Sequence, residues 1–124
     1  NQEDEHSCFS DNTHRDIVTN ALGIRNVYRG SYTRLNGSII SGASLSDLAE
    51  ILTKDENTTL RSWMDQTITL VNAIPAPFDY ALTQETVGGN GPIFTAILAL
   101  QRQGDQLAVV AADMEIPIST ELPN

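Results

Sequence analysis

The chain has 124 residues, a length that fits one domain or half of a larger one. Its sixteen acidic and seven basic side chains give a formal charge of -9. This balance argues against binding to nucleic acid or to an anionic membrane surface, because both need lysine and arginine to neutralise phosphates. The single cysteine, Cys8, excludes a disulfide within the chain. No apolar stretch approaches the roughly 20 residues that span a bilayer, so the sequence predicts no transmembrane segment.

Apolar residues repeat at helical spacing in four stretches of the chain. These stretches run from about His14 to Arg29, then over Leu45–Leu52, Leu60–Ile74 and Ile93–Met114. Pro75 and Pro77 end the third stretch, and Phe78–Leu82 is predicted to form one further turn. Because amphipathic helices can bury one another's apolar stripes, the sequence predicts an all-α fold, a helical bundle of about four helices.

Local signals mark where these helices begin. Two Ser/Thr-x-x-acid patterns, Thr13–Asp16 and Ser44–Asp47, predict capping boxes at the starts of the first and second helices. Pro92 follows a glycine-rich break and predicts the first turn of the last helix. Gly23 and Gly104 lie inside predicted helices, where glycine costs about 1 kcal/mol relative to alanine. We interpret them as places where another helix, from this chain or from another polypeptide, approaches closely.

Two parts of the chain show no apolar period. Residues 30–43 are rich in glycine and serine and predict a long loop, of the kind that is functional or mobile. Residues 113–124 carry two prolines and predict an irregular tail.

The densest polar stretch, Glu5–Asp16, contains both histidines of the chain and three carboxylates. If the first helix begins near Asp11, then Asp11 and His14 share a helix face, and so do Ser10 and His14. Neutral imidazole with carboxylates suits iron or zinc. The same residue types also cap the N–H groups at a helix start, and those groups can hold an anion instead. The residue types alone leave these three readings open, with Phe9 beside them interpreted as a packing anchor.

Several ordered motifs carry a family resemblance. They are Glu5–Asp16, Ala21–Ile24, Asn26–Tyr28, Gly30–Tyr32, Gly42–Leu48 and Ala73–Asp79. In this order, and with the specific run Phe-Ser-Asp-Asn-Thr-His at 9–14, the chain resembles the second half of imelysin-like proteins. These form the peptidase M75 family, which includes the iron-regulated protein A group. The resemblance covers about residues 3–112.

The resemblance implies a two-lobed, all-α bacterial protein that is exported, either periplasmic or lipid-anchored at the cell surface, and linked to iron acquisition. Residues 1–124 would then form the C-terminal lobe, with the family-like core at 3–112 and the irregular tail after it. The family's peptidase assignment rests on a Gly-x-His-x-x-Glu motif in the N-terminal lobe, and this motif is absent here. The implied partner is therefore the N-terminal half of the same protein, as a separate chain or a cleaved fragment carrying His-x-x-Glu.

Carried over by position, the family pattern implies that polar side chains at the start of the first helix line a cleft between the lobes. These residues are Glu5, His6, Ser10, Asp11, Asn12 and His14. Asp11 and His14 are the metal-ligand candidates, or else they orient the histidine and glutamate of the other lobe. The expected function is binding of iron, zinc or an iron-containing ligand. The alternatives are a metallopeptidase whose His-x-x-Glu lies on the other half, and a scaffold in which the cluster only caps a helix.

Overall fold

The computed structural model describes residues 5–86 and 88–119, which form five helices and one short hairpin. The helices are α1 (Thr13–Arg29), α2 (Leu45–Leu52), α3 (Lys54–Asn72), α4 (Phe78–Thr83) and α5 (Pro92–Asp113). The hairpin strands are β1 (Ser31–Thr33) and β2 (Ile39–Ser41). The all-α prediction is confirmed, and α4 is the predicted further turn. The first four residues of the chain and the last five of the predicted tail lie outside the described residues.

Two apolar clusters run along the three long helices. One contains Val18 of α1, Val71 of α3 and Ile93 of α5. The other contains Tyr28 of α1 and, among others, Met64 of α3. The start of α1 therefore packs beside the end of α3, and the start of α5 lies at that same end. It follows that α3 is antiparallel to both α1 and α5.

Helix α5 packs on α3 through small and polar residues as much as through large apolar ones. Ala96 and Ala99 are buried there, and the Thr67 hydroxyl of α3 donates to the Ala99 carbonyl at 3.4 Å. The side-chain amide of Gln106 donates to the Glu56 carboxylate at 2.5 Å. Ile97, which the apolar period places on the buried stripe, is 44% exposed instead. The buried face of α5 is thus rotated toward its alanines, which let the two helices approach closely.

The predicted capping box of α2 is confirmed, whereas that of α1 is wrong. Ser44 accepts from the Asp47 backbone N–H at 3.0 Å, and Asp47 accepts from the Ser44 backbone N–H at 3.1 Å. Helix α1 begins at Thr13, so Thr13 is a helical residue and not the cap. The preceding Asn12 makes no side-chain capping bond. The Thr13 hydroxyl instead donates to the Glu5 carboxylate.

The predicted loop over residues 30–43 contains regular structure. Gly30 ends α1 in the left-handed conformation, with φ of 59°. Strands β1 and β2 then pair antiparallel, with Tyr32 opposite Ile40. Almost all residues of the two strands are exposed. Because neither strand has a buried face, the sequence shows no alternation of apolar and polar residues that would predict the hairpin. Across the described part of the chain, none of the helices has both the length and the apolar character needed to cross a membrane.

Candidate functional site

The polar segment before α1 folds back over the first turn of that helix. We call residues 5–12 the strap. The Ser10 backbone N–H donates to the Ser7 carbonyl at 3.1 Å, which forms a tight turn. Asp11 then adopts a positive φ of 51°, a conformation that aspartate tolerates better than most residues. The chain enters α1 two residues later.

Asp16 is the residue on which the strap converges. The Nδ1 atom of His6 lies 3.0 Å from Asp16 Oδ2, and the Ser7 hydroxyl donates a hydrogen bond to the same oxygen. These two hydrogen bonds, Ser7 first, lower the pKa of the Asp16 carboxyl below its usual 3.8. The site therefore holds an ionised carboxylate near neutral pH. Its side chain is 31% exposed, so solvent or a ligand can reach it.

Thr13 fixes the other end of the strap. Its hydroxyl donates to the Glu5 carboxylate at 2.6 Å and accepts from the Ser7 backbone N–H at 3.2 Å. Thr13 is buried, which makes these bonds part of the local core rather than a loose surface contact. Residues 5 to 7 are thereby held against the first turn of α1 by several bonds at once.

A groove of about 400 Å³ lies beside this cluster. It is lined by His6, Asp16, Ile17, Thr19 and Asn20. Because His6 is 78% exposed, its imidazole stands at the wall of the groove and is accessible. The groove thus offers an ionised carboxylate, an imidazole and an amide to anything that binds there.

The structure brings together only some of the residues that the sequence singled out. Glu5 and His6 take part in the cluster, whereas Ser10, Asp11 and Asn12 are exposed and do not line the groove. The expectation that Asp11 and Ser10 share a helix face with His14 is wrong, because α1 begins only at Thr13. Their proposed roles at a cleft between lobes remain predictions.

His14 is the most unusual of the predicted residues. Its ring is partly buried, and the Nδ1 atom is shielded from solvent without a hydrogen-bond partner within the described structure. A buried polar atom without a partner is rare and costly. His14 therefore has one ring nitrogen available for a group that the described residues do not supply.

One further interpretation changes, and two arginines of α1 find a partner. Phe9, expected to anchor the segment by packing, is fully exposed. Arg25 and Arg29 of α1 both bind Asp65 of α3, at 3.2 and 2.8 Å. They therefore clamp a carboxylate of the chain itself.

The sequence analysis did not single out Ser7, Thr19 or Asn20, and it included Asp16 in the polar stretch and in a capping-box pattern without placing it among the site residues. Asp16 is ten positions from His6, a separation that no helical or strand spacing connects. Thr19 and Asn20 follow Asp16 at i+3 and i+4, and helical spacing therefore places them on the same exposed face as Asp16. This spacing is the signal by which the sequence could have identified them.

A model of the imelysin family, peptidase M75, matches residues 1–107. The match runs from the strap through most of α5 and therefore includes the cluster and the groove. The chain belongs to the imelysin family. No curated protein matches the chain.

The metal that the imelysin resemblance implies can be tested against the donor atoms present. No group of three or more histidine, cysteine, aspartate or glutamate side chains within residues 5–86 and 88–119 is arranged to hold a metal ion. His14 Nδ1 is a suitable nitrogen donor, but it stands alone. The described part of this imelysin therefore does not fit a self-contained metal site.

Proposed function

We propose that this chain supplies one wall of a binding cleft in an exported imelysin, and that the N-terminal half of the protein supplies the other. The proposed cargo is iron, zinc or an iron-containing ligand, and the N-terminal half would carry a His-x-x-Glu motif. The observation that carries the proposal is the folded cluster of Glu5, His6, Ser7, Thr13 and Asp16 beside an open groove.

Charge supports a cationic or metal-containing cargo. Asp16 is ionised near neutral pH, and its two hydrogen-bond partners leave the carboxylate partly exposed at the groove. A fixed negative charge at an accessible wall attracts cations. Ser7 and His6 orient this carboxylate, which is what outer hydrogen-bond partners do in metal sites.

His14 supports a shared site. Because its shielded Nδ1 finds no partner within the described residues, a ligand, an ion or a group from the other half would satisfy it. In the proposed assembly His14 either donates this nitrogen to the metal or accepts a hydrogen bond from the histidine of the other half.

The test is calorimetric titration of the protein containing both halves with Fe(II) and with Zn(II). His14→Ala is expected to weaken binding by about tenfold or more, as loss of a ligand or of an orienting partner does. Asp16→Asn is expected to weaken it in the same direction. The matched control is Asp105→Asn, an exposed aspartate on α5, which should bind as the unaltered protein does. Metal affinity that is unchanged in both His14→Ala and Asp16→Asn would refute the proposal.

Hydrolysis is the second candidate, because the matching family model carries the peptidase M75 description. A zinc peptidase needs an open metal coordination position and a general base, which the other half would have to supply. Digestion of an unfolded protein substrate, with and without a chelator, separates the two candidates. Chelator-sensitive cleavage favours the peptidase, whereas metal binding without cleavage favours the carrier.

A further inference from the structure

A second groove lies at the other end of α1, between that helix and the hairpin, with a volume of about 790 Å³. Its apolar walls come from Leu22 and Val27 of α1 and from the cross-strand pair Tyr32 and Ile40. Val27 is 75% exposed. Both the volume and the mainly apolar lining are typical of small-molecule sites, which commonly measure about 300 to 1,000 Å³.

Gly23 lines this groove and leaves its α1 wall bare. A Cβ atom added at Gly23 would meet no heavy atom within 4 Å. No close contact within the described structure therefore requires a glycine at this position, although glycine lowers the stability of a helix relative to alanine. It leaves room above the helix that a side chain would occupy.

The charge of this region is opposite to that of the chain. All residues lining the groove come from positions 19–42. Between Asp16 and Asp47 the sequence has no acidic residue, but it has Arg25, Arg29 and Arg34. In a chain with a formal charge of -9, the groove is thus built entirely from a positively charged segment.

Arg25 is the arginine among the residues that line the groove. Its guanidinium contacts Asp65 at 3.2 Å, while Arg29 contacts the other oxygen of Asp65 at 2.8 Å. Two guanidinium groups thus share one carboxylate, which leaves one positive charge uncompensated by this cluster. Because a guanidinium carries five donors, Arg25 can bind an anion without releasing Asp65.

We propose that this groove binds an apolar organic anion, a small molecule with a hydrocarbon body and a carboxylate or similar acidic group. The hydrocarbon lies over Gly23 between Val27 and the Tyr32–Ile40 pair, and the acidic group pairs with Arg25. The site uses none of the side chains of the cluster at the start of α1. It can therefore be tested without metal, and its failure would leave the proposed cleft unaffected.

The experiment is a metal-free calorimetric titration of the full-length protein with decanoate, with decylammonium as the cationic probe of equal chain length. Decanoate is expected to bind saturably at one site and at least about tenfold more tightly than decylammonium. Arg25→Gln should weaken decanoate binding by about tenfold, the value of one charged hydrogen bond. Gly23→Leu should abolish it by filling the groove.

Two controls keep the result interpretable. The Cβ atom of Gly23→Leu would meet no heavy atom within 4 Å in the described structure. Retained helical circular dichroism of this variant would show that lost binding reflects a filled groove and not an unfolded protein. Ile51→Asp changes an apolar residue of α2 that lies outside the groove and is about as exposed as Val27. This variant should bind decanoate as the unaltered protein does. Equal binding of the two probes, or decanoate binding unaffected by Gly23→Leu, overturns the proposal. Absence of saturable decanoate binding, including the case in which another segment of the protein covers the groove, also overturns it.

Discussion

Asn57 of α3 is the polar residue whose replacement should lower the free energy of unfolding most. It is fully buried and accepts from the hydroxyls of Tyr28 at 2.8 Å and Ser46 at 3.2 Å. Its amide donates to the Ser46 carbonyl at 3.2 Å and to the Glu50 carboxylate at 2.8 Å. One side chain thus joins α1, α2 and α3.

The cost of Asn57→Ala follows from which partners can reach water afterwards. The Glu50 carboxylate is partly exposed and regains hydration. The Tyr28 hydroxyl and the two Ser46 groups are in buried residues and lose their partner, at about 1 kcal/mol or more each. We therefore expect a loss of about 3 to 4 kcal/mol in the free energy of unfolding, a large share of the 5 to 15 kcal/mol typical of a domain. Tyr28→Phe, which removes one of these bonds, should cost about 1 kcal/mol.

Urea unfolding followed by circular dichroism measures both variants. Asn72→Ala is the matched control, because Asn72 is an exposed asparagine of the same helix with a single bond, to the Ile68 carbonyl. It should change stability by about 0.5 kcal/mol or less. An Asn57→Ala variant no less stable than Asn72→Ala would refute the reasoning that this network joins the three helices.

Three further predictions concern positions around the two grooves and the last helix. Gly30→Ala should destabilise the protein by about 2 kcal/mol or more, because φ is 59° and the new Cβ would lie 2.7 Å from Ser44 Cβ. Gly23→Ala in α1 should instead stabilise the protein by about 1 kcal/mol. Urea unfolding of the two variants checks that their stability changes have opposite signs. The Glu85 carboxylate accepts from the Ile93 and Phe94 backbone N–H groups, at 2.6 and 2.9 Å, at the start of α5. Glu85→Gln should therefore lower the stability by about 1 kcal/mol in thermal melts. A melting temperature equal to that of the unaltered protein would contradict this prediction. The pKa of Asp16 in the folded protein is below 3.8, so its ionised form stabilises the fold above pH 3.8, and this contribution is lost as the pH falls through the folded pKa. Asp16→Asn should therefore show a smaller fall in stability between about pH 5 and pH 2 than the unaltered protein does. An equal fall in the variant and in the unaltered protein would count against this prediction.

The helices could be predicted from the sequence because their buried faces impose a period. Leu60, Met64 and Val71 of α3 recur at helical spacing, and all three are buried. The Ser44–Asp47 cap could be predicted as well, since its two bonds involve residues only three apart. Both signals are local, and local signals survive in one sequence without any knowledge of the fold.

The hairpin and the strap could not be predicted in the same way. Tyr32 and Ile40 remain half exposed, so no alternating burial marks their strands. The Thr13–Asp16 pattern has the residue types of a capping box, but Thr13 instead binds Glu5, eight positions earlier. A contact over that distance outside a helix depends on a chain reversal, and the sequence shows only that the residues are polar.

The resemblance to imelysins singled out residues of the segment Glu5–Asp16, but Asp16 was not among the site residues that it implied. It implied roles for Asp11 and His14, whereas the contacts converge on Asp16. A family pattern indicates which residues are shared by position, but the contacts of each side chain depend on where α1 begins. Moving that start from Asp11 to Thr13 removes Asp11 from the helix and places Asp16 in its first turn.

The two grooves lie on one exposed face of α1, and this arrangement decides how the two proposals can be separated. Thr19 lines both grooves, so a variant there would perturb both and distinguish nothing. Val27 lies two turns further along the helix and lines the groove at the hairpin but not the groove at the cluster. Asp16 lines the groove at the cluster but not the groove at the hairpin. Val27→Asp should therefore impair decanoate binding and leave metal binding intact, and Asp16→Asn should do the reverse. If either change impaired both, the grooves would act as one site, and the separate assignment of metal and organic anion would be wrong.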